Sequence, residues 1–321
     1  MAKTSRTIAE LGGEFALIGS LRAAPRRSDV ALGIGDDGAV VAAGDTTLVI
    51  TTDMLVENDH FTRSYGPPEH TGIKAAASSL SDIAAMGADP AWGVVSLCLT
   101  PSIEAEWVQR MNGALSAELE AAGAELVGGD ITHGDAIVIS VAIVGTIPRD
   151  SRPLLRSGAR PGDGLWVTGP LGGARAGLRA LQTGYSGFDE LKALHTAARA
   201  RLDVVPTIRR LATAAIDVSD GLASEVGHIC RASGVGAVVY ADHIPMTDAT
   251  RALARELDED PLGYALHGGE DLELLFTAPD SDEARAFATP VGEVTGEGAI
   301  VLERDGRRDP LETQGFDHFA E

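Results

Sequence analysis

Aromatic side chains are scarce in this chain, and that scarcity limits the folds open to it. Three Trp, four Tyr and seven Phe among 321 residues leave a core that must be assembled from Ala, Val, Leu and Ile. Small side chains let helices approach a sheet closely, so tightly packed α/β layers are expected. The length exceeds the usual size of a single core, and two domains are the first expectation.

The pattern along the chain agrees. An amphipathic helix is expected over residues 5–22, then short β runs at 30–34, 39–43 and 48–52, with Gly44-Asp45 turning between the last two. Residues 69–86 read as an Ala-rich helix stopped by Gly87, 92–99 as a strand, and 102–122 as a helix with Ser102 as N-cap. Strands at 125–127 and 136–146 complete this half. The segment PRDSRPLLRSGARPGDG (148–164) is rich in Pro, Gly and Arg and marks the expected boundary, giving domains 1–148 and 149–321. Beyond it follow a strand at 165–168 and helices at 171–182 and 189–212. A strand at 214–218, a helix at 220–232 and strands near 236–240, 271–277 and 291–304 complete the pattern.

A formal charge of −21 narrows the partners. So acidic a surface repels nucleic acid and anionic membranes. A polyanionic ligand would have to be met through divalent cations held by carboxylates. Only three lysines exist, Lys3, Lys74 and Lys192, and none lies in a Gly-rich loop. With no GxxxxGK[ST] anywhere, a P-loop kinase is excluded. The GIGDDG of residues 33–38 matches GxGxxG in form only, because a hairpin rather than a helix follows it. GPLGGARAGL (169–178) does join a strand to a helix, where anion binding and simple close packing are both open readings. Cys98 and Cys230 sit in apolar surroundings without metal-ligand spacing and read as packed thiols. No run approaches the ~18 continuous apolar residues of a membrane span. The first residues lack an apolar signal core, so a cytoplasmic protein is expected.

The chemistry is carried by acidic residues beside Gly, Ser or Thr at element ends. They are GIGDDGAV (Asp36, Asp37), TTD (Thr51, Thr52, Asp53), SLSDIAAMGADP (Asp82), GGDIT (Gly129, Asp130), DVSDG (Asp217, Ser219, Asp220) and HGGED (Glu270, Asp271). Taken singly, each reads first as a turn residue or helix cap. Together they place carboxylates at several strand ends, as several Mg2+ ions bridging a nucleotide would need. Asp217 and Ser219 share one side of a strand by period 2. Asp82 needs a partner in so apolar a helix, and Lys74 and Ser78 lie on its face. A structural ion pair and a shared metal cluster are the two readings there.

In order and spacing, GIGDD, TTDMLVENDHF, LSDIAAMGADP, GGD, RSGARPGD, DVSDGL, GGEDLELLF and GFDHF resemble the thiamine-monophosphate kinases. These belong to the aminoimidazole-ribonucleotide-synthetase-like superfamily, and the resemblance runs from residue 13 to 320. It implies an α/β two-domain fold whose N-terminal sheets pair between two subunits in a barrel-like homodimer interface. It also implies transfer of the ATP γ-phosphoryl group to thiamine monophosphate. By the same resemblance, Asp37, Thr51, Thr52, Asp53, Asp82, Asp130, Asp217 and Asp220 would hold Mg2+, with Asp53, Asp82, Asp130 and Asp220 central to catalysis. Gly129, Asp130, Arg156 and Ser219 would contact ATP, and His60, Glu270 and Phe316 the thiamine phosphate. A cationic thiazolium suits a carboxylate and an aromatic face. The rivals are other enzymes of the superfamily and a catalytically silent nucleotide-binding protein. A selenophosphate synthetase calls for a Cys or selenocysteine that residues 1–35 lack, and a silent protein calls for lost ligands, whereas every acidic motif is present.

Overall fold

One helix organises the molecule, and it is the Ala-rich segment. The computed structural model describes residues 7–11, 13–296 and 298–313. The chain opens with two short helices, α1 (Ile8–Leu11) and α2 (Glu14–Leu21). The single helix expected over 5–22 is interrupted at Gly13, whose φ of 86° lies outside helical space. Six strands then build the first sheet: β1 (Val30–Leu32), β2 (Ala39–Ala43), β3 (Thr46–Val56), β4 (Asp89–Leu99), β5 (Glu125–His133) and β6 (Val138–Ile147). Their order is β1-β2-β3-β6-β4-β5, an open sheet with β1 and β5 at its edges. The Gly44-Asp45 hairpin lies where the sequence puts it.

Two helices cover one face of this sheet, α3 (Pro68–Ala85) and α4 (Ala105–Ala121). Ser102 does not cap α4, which begins after Glu104 with no side-chain cap. The two helices touch closely at Gly72, where an added Cβ would lie 2.1 Å from the Met111 carbonyl oxygen. On β3, Val49, Thr51 and Leu55 point toward α3 and are buried, while Ile50, Thr52 and Met54 point away and are exposed. That outer face also carries Trp92 and Val94.

The second sheet has seven strands: β7 (Gly164–Val167), β8 (Ala214–Asp217), β9 (Gly236–Tyr240), β10 (Leu274–Ala278), β11 (Thr289–Thr295), β12 (Ile300–Arg304) and β13 (Arg307–Pro310). Their order is β13-β12-β9-β11-β7-β10-β8, antiparallel except for β9 beside β12. Its helices include α5 (Gly173–Thr183), α6 (Asp189–Thr196), α7 (Val205–Leu211) and α8 (Leu222–Ser233). The expected helix 189–212 is two helices, with Pro206 in the first turn of the second, where its missing N–H is harmless. Both faces of its central strands are buried, while β13 at one edge is exposed. Leu165, Ile216 and Leu275 pack with α8, while Trp166, Ala215 and Phe276 pack with α7 and with Ala84 and Ala85 of α3. Thus α3 lies between the two sheets, and twelve of its eighteen residues are buried. Small side chains make that position sterically attainable.

Among the described residues no helix is long and apolar enough to cross a membrane. Both cysteines are free thiols, Cys230 buried and Cys98 partly so.

Candidate active site

Three carboxylates from three elements meet where α3 faces both sheets. Asp37 comes from the turn before β2, Asp82 from α3, and Asp217 from the end of β8. One carboxylate oxygen from each lies within 4.8 Å of the other two. Strand parity adds Asp53 to this group and aims Asp217 into it. Asp53 projects from β3 on the α3 side, beside Thr51, whose hydroxyl donates to Asp82. Asp217 follows Ala215 on the face of β8 that meets α3, and Ser81 donates to its Oδ2 at 2.7 Å.

The only cation within hydrogen-bond reach of this group among the described residues is Arg156, from the segment between the sheets. Its Nη2 donates to Asp37 Oδ1 at 2.5 Å, and its main-chain N–H donates to Asp36 Oδ2 at 3.2 Å. One guanidinium cannot balance four carboxylates. Burial first, and then mutual repulsion, push Asp82 well above the usual carboxylate range. Asp217 is pushed up to about 8 by burial and by Asp37. Asp53 and Asp37 are raised chiefly by burial. Asp36, beside them, is pushed up to about 7 by burial and then by Asp37. The buried Oδ2 of Asp37 has no hydrogen-bond partner. Hard oxygen donors, excess negative charge and an orphaned buried oxygen together suit a divalent cation such as Mg2+.

The other expected residues are distributed around this centre. Thr52 turns its hydroxyl to the opposite sheet face, 3.4 Å from the Ser140 hydroxyl, so only its main chain faces the cluster side. Gly129 and Asp130 lie exposed on the edge strand β5, outside the three-carboxylate group. Asp220 precedes α8 but does not cap it, since Gly221 takes the N-cap position with φ 104°. The Asp220 N–H instead donates to the buried Glu225 at 2.9 Å. The Ser219 carbonyl accepts from the Glu270 N–H at 2.7 Å, which ties the DVSDG loop to the HGGED loop. Phe316 lies outside the described residues.

Glu270 is held quite differently from the aspartates. Lys74, buried in α3, donates to its Oε1 at 2.7 Å, and His195 Nδ1 lies 3.0 Å from its Oε2. Burial alone would raise this carboxylate, but Lys74 and then His195 outweigh it and bring Glu270 down to about 2. Of the two readings open for Asp82, the ion pair with Lys74 is therefore not made; Lys74 turns to the other domain. Its Nζ also donates to the His60 carbonyl at 2.7 Å. Beside this network lies a cavity of about 20 Å³ lined in part by Phe61, Tyr65, His70, Lys74 and His195.

Ser81, His195 and Glu225 were not among the residues expected at the site, and Asp36, one of the acidic-motif residues, had been given no role there. Asp36 was signalled by its acidic loop; the other three carried no local signal.

Comparison with known proteins gives this geometry a family. Residues 35–147 match the family model for AIR synthase related protein, N-terminal domain, and residues 160–305 match that for its C-terminal domain. The thiamine-monophosphate kinase of Salmonella typhimurium is 40% identical over 329 aligned residues, covering 96% of this chain and 98% of that protein. The chain belongs to the thiamine-monophosphate kinase family. The family member from Aquifex aeolicus is 37% identical, with 96% and 98% coverage. A solved structure described as AaThiL complexed with AMPPCP and TMP superposes with a TM-score of 0.88 at 35% identity, covering 99% of this chain and all of that one. A hydrogenase maturation protein, HypE, in complex with ATP shares the fold at a TM-score of 0.71 and 20% identity.

Proposed function

We propose that this enzyme transfers the γ-phosphoryl group of ATP to the phosphate of thiamine monophosphate, giving thiamine diphosphate and ADP. The observation that carries this reading is the buried, under-compensated convergence of Asp37, Asp82 and Asp217, in a chain 40% identical to a thiamine-monophosphate kinase. The relative solved with AMPPCP and TMP points to the same pair of substrates.

Asp37, Asp53, Asp82 and Asp217 would hold Mg2+, with Thr51 supporting Asp82. Thr52 can take part through its main chain alone, and Asp130 and Asp220 join from the edge strand and the α8 entry. Bound Mg2+ supplies neutralisation of the crowded phosphate charge. The protein's own work is positioning. Arg156, with Gly129, Asp130 and Ser219, contacts the nucleotide, and its planar fork suits phosphate oxygens. His60, Glu270 and Phe316 receive the thiamine phosphate. A phosphate acceptor has a second pKa of about 6 and is already ionised near neutrality, so no general base is required.

Residues 1–148 then form the ATP- and Mg2+-binding half and residues 149–321 the second domain. We take the partner of the exposed face carrying Ile50, Met54, Trp92 and Val94 to be a second copy of the same sheet. The six-stranded sheet is open, so a barrel-like arrangement requires two of them. A sedimentation mass equal to one chain would remove the dimer. The cytoplasm, where ATP and Mg2+ are both abundant, is the location this reading assigns. Purified protein incubated with ATP, Mg2+ and thiamine monophosphate should form thiamine diphosphate; no product above a control lacking protein would overturn the function.

A further inference from the structure

Lys74 is conspicuous on three counts. It is one of only three lysines, it is 4% exposed, and it lies on the helix between the two sheets. An ammonium so placed must be satisfied by partners. Its partners belong to different domains: the His60 carbonyl follows β3, while the Glu270 carboxylate lies in the loop before β10.

Each end of this bridge is fixed independently. The His60 ring accepts the Val56 N–H at Nδ1, 3.2 Å away. Glu270 holds a main-chain φ of 62°, a left-handed conformation that costs a non-glycine residue energy, and its N–H is bound by the Ser219 carbonyl. One carboxylate oxygen is taken by Lys74 and the other lies 3.0 Å from His195. The result is a carboxylate with set orientation and largely neutralised charge, held by two residues, Lys74 and His195, that themselves line the cavity beside α3.

We propose that Lys74, assisted by His195, is a positioning residue for the acceptor: it locks the His60 loop and the Glu270 loop, one from each domain, in a single register. This rests on the function proposed above. The ATP side depends on the aspartate cluster and Arg156, which Lys74 does not contact, so its removal should loosen one substrate and spare the other.

The test is steady-state kinetics of the full chain for wild type, K74M, K74R, H195Q, E270Q and K74M/E270Q, with ATP and thiamine monophosphate varied separately. K74M keeps the stem and removes the charge. It should raise KM for thiamine monophosphate at least tenfold while KM for ATP stays within twofold, and K74R should recover most of the loss. The double variant should lose less than the K74M and E270Q losses combined, because each single change already breaks the Lys74–Glu270 contact. Equal effects on both substrates, no effect on either, or full additivity in the double variant would overturn the assignment. Should K74M fail to fold, H195Q leaves the Lys74–Glu270 pair intact, strands no buried charge without a partner, and must show the same selective rise. An inactive wild type would overturn the proposed function and this assignment with it, whereas an active wild type with unaltered K74M overturns the assignment alone.

Discussion

Two groups of carboxylates flank α3, and they are treated in opposite ways. On one side Asp37, Asp53, Asp82 and Asp217 crowd together with one guanidinium among them, and Asp217 rises to about 8. On the other side Glu270 has Lys74 and His195 to itself and falls to about 2. Burial pushes the carboxylates of both groups upward, although Glu270 is about one-third exposed, so it does not explain their opposite shifts. Compensation does. The aspartate group is built short of positive charge and calls for cations from solution, while the Glu270 group carries its own and serves as a fixed part. This contrast between a loading site and a positioning site is where the molecule can be tested.

The largest expected effect is on turnover. D82N removes a central oxygen donor and should lower activity at least ~1000-fold, as losing an electrostatic element of a phosphoryl-transfer site does. Yet the same change relieves repulsion, so in EDTA the variant should melt above wild type. Thermal melting alongside the activity assay checks both signs; a D82N protein that melts lower and stays active would erase the distinction between the groups. For E270Q the sign reverses. It leaves the buried Lys74 ammonium without its carboxylate, and unfolding free energy should fall by about 2 kcal/mol, discounted from fully buried pairs because Glu270 is one-third exposed. Denaturant titration measures this, and an unchanged midpoint would show that Lys74 finds other partners.

The pH dependence separates the groups further. Asp217 and Asp36 bind protons more tightly folded than unfolded, with values of about 8 and 7 against 3.8. Between pH ~4 and ~8 the native state thus carries the extra protons, and metal-free stability should fall as pH rises through that window. Mg2+ should flatten the slope. Glu270 works oppositely, contributing stability above its unfolded value near 4.5 that is lost only as pH falls toward about 2. A metal-free melting temperature that rises between pH 5 and 8 would contradict the charge deficit assigned to the aspartates. The smallest effects are expected from two hydroxyls. S81A loses its bond to Asp217 and about 1 kcal/mol, while T52V, whose hydroxyl faces away, should keep activity within about twofold.

Local patterns in the sequence carried much of this. The acidic motifs grouped Thr51 with Asp53, which β3 turns to its inner face, and Gly44-Asp45 announced its hairpin, whereas Ser219, expected to share a strand face with Asp217, lies beyond the end of β8. The acidic motifs named Asp37, Asp82 and Asp217 before any contact was known. What escaped was long-range. Lys74 was visible as an odd charge in an Ala-rich helix, but nothing local could say that it turns from Asp82 to Glu270 in the other domain. Ser81 and His195 look like ordinary helix residues until the sheets close on α3. The breaks at Gly13 and in the 189–212 helix were missed because periodicity continued through residues whose main chain does not.

Whether the aspartate cluster is a cation-loading site can be decided by melting wild type and D82N at pH 8, first in EDTA and then with Mg2+ and AMPPCP. Wild type should rise by several degrees on addition and D82N should barely move. A wild type that melts at one temperature in both conditions, or a D82N that gains as much as wild type, would contradict the role given to these carboxylates.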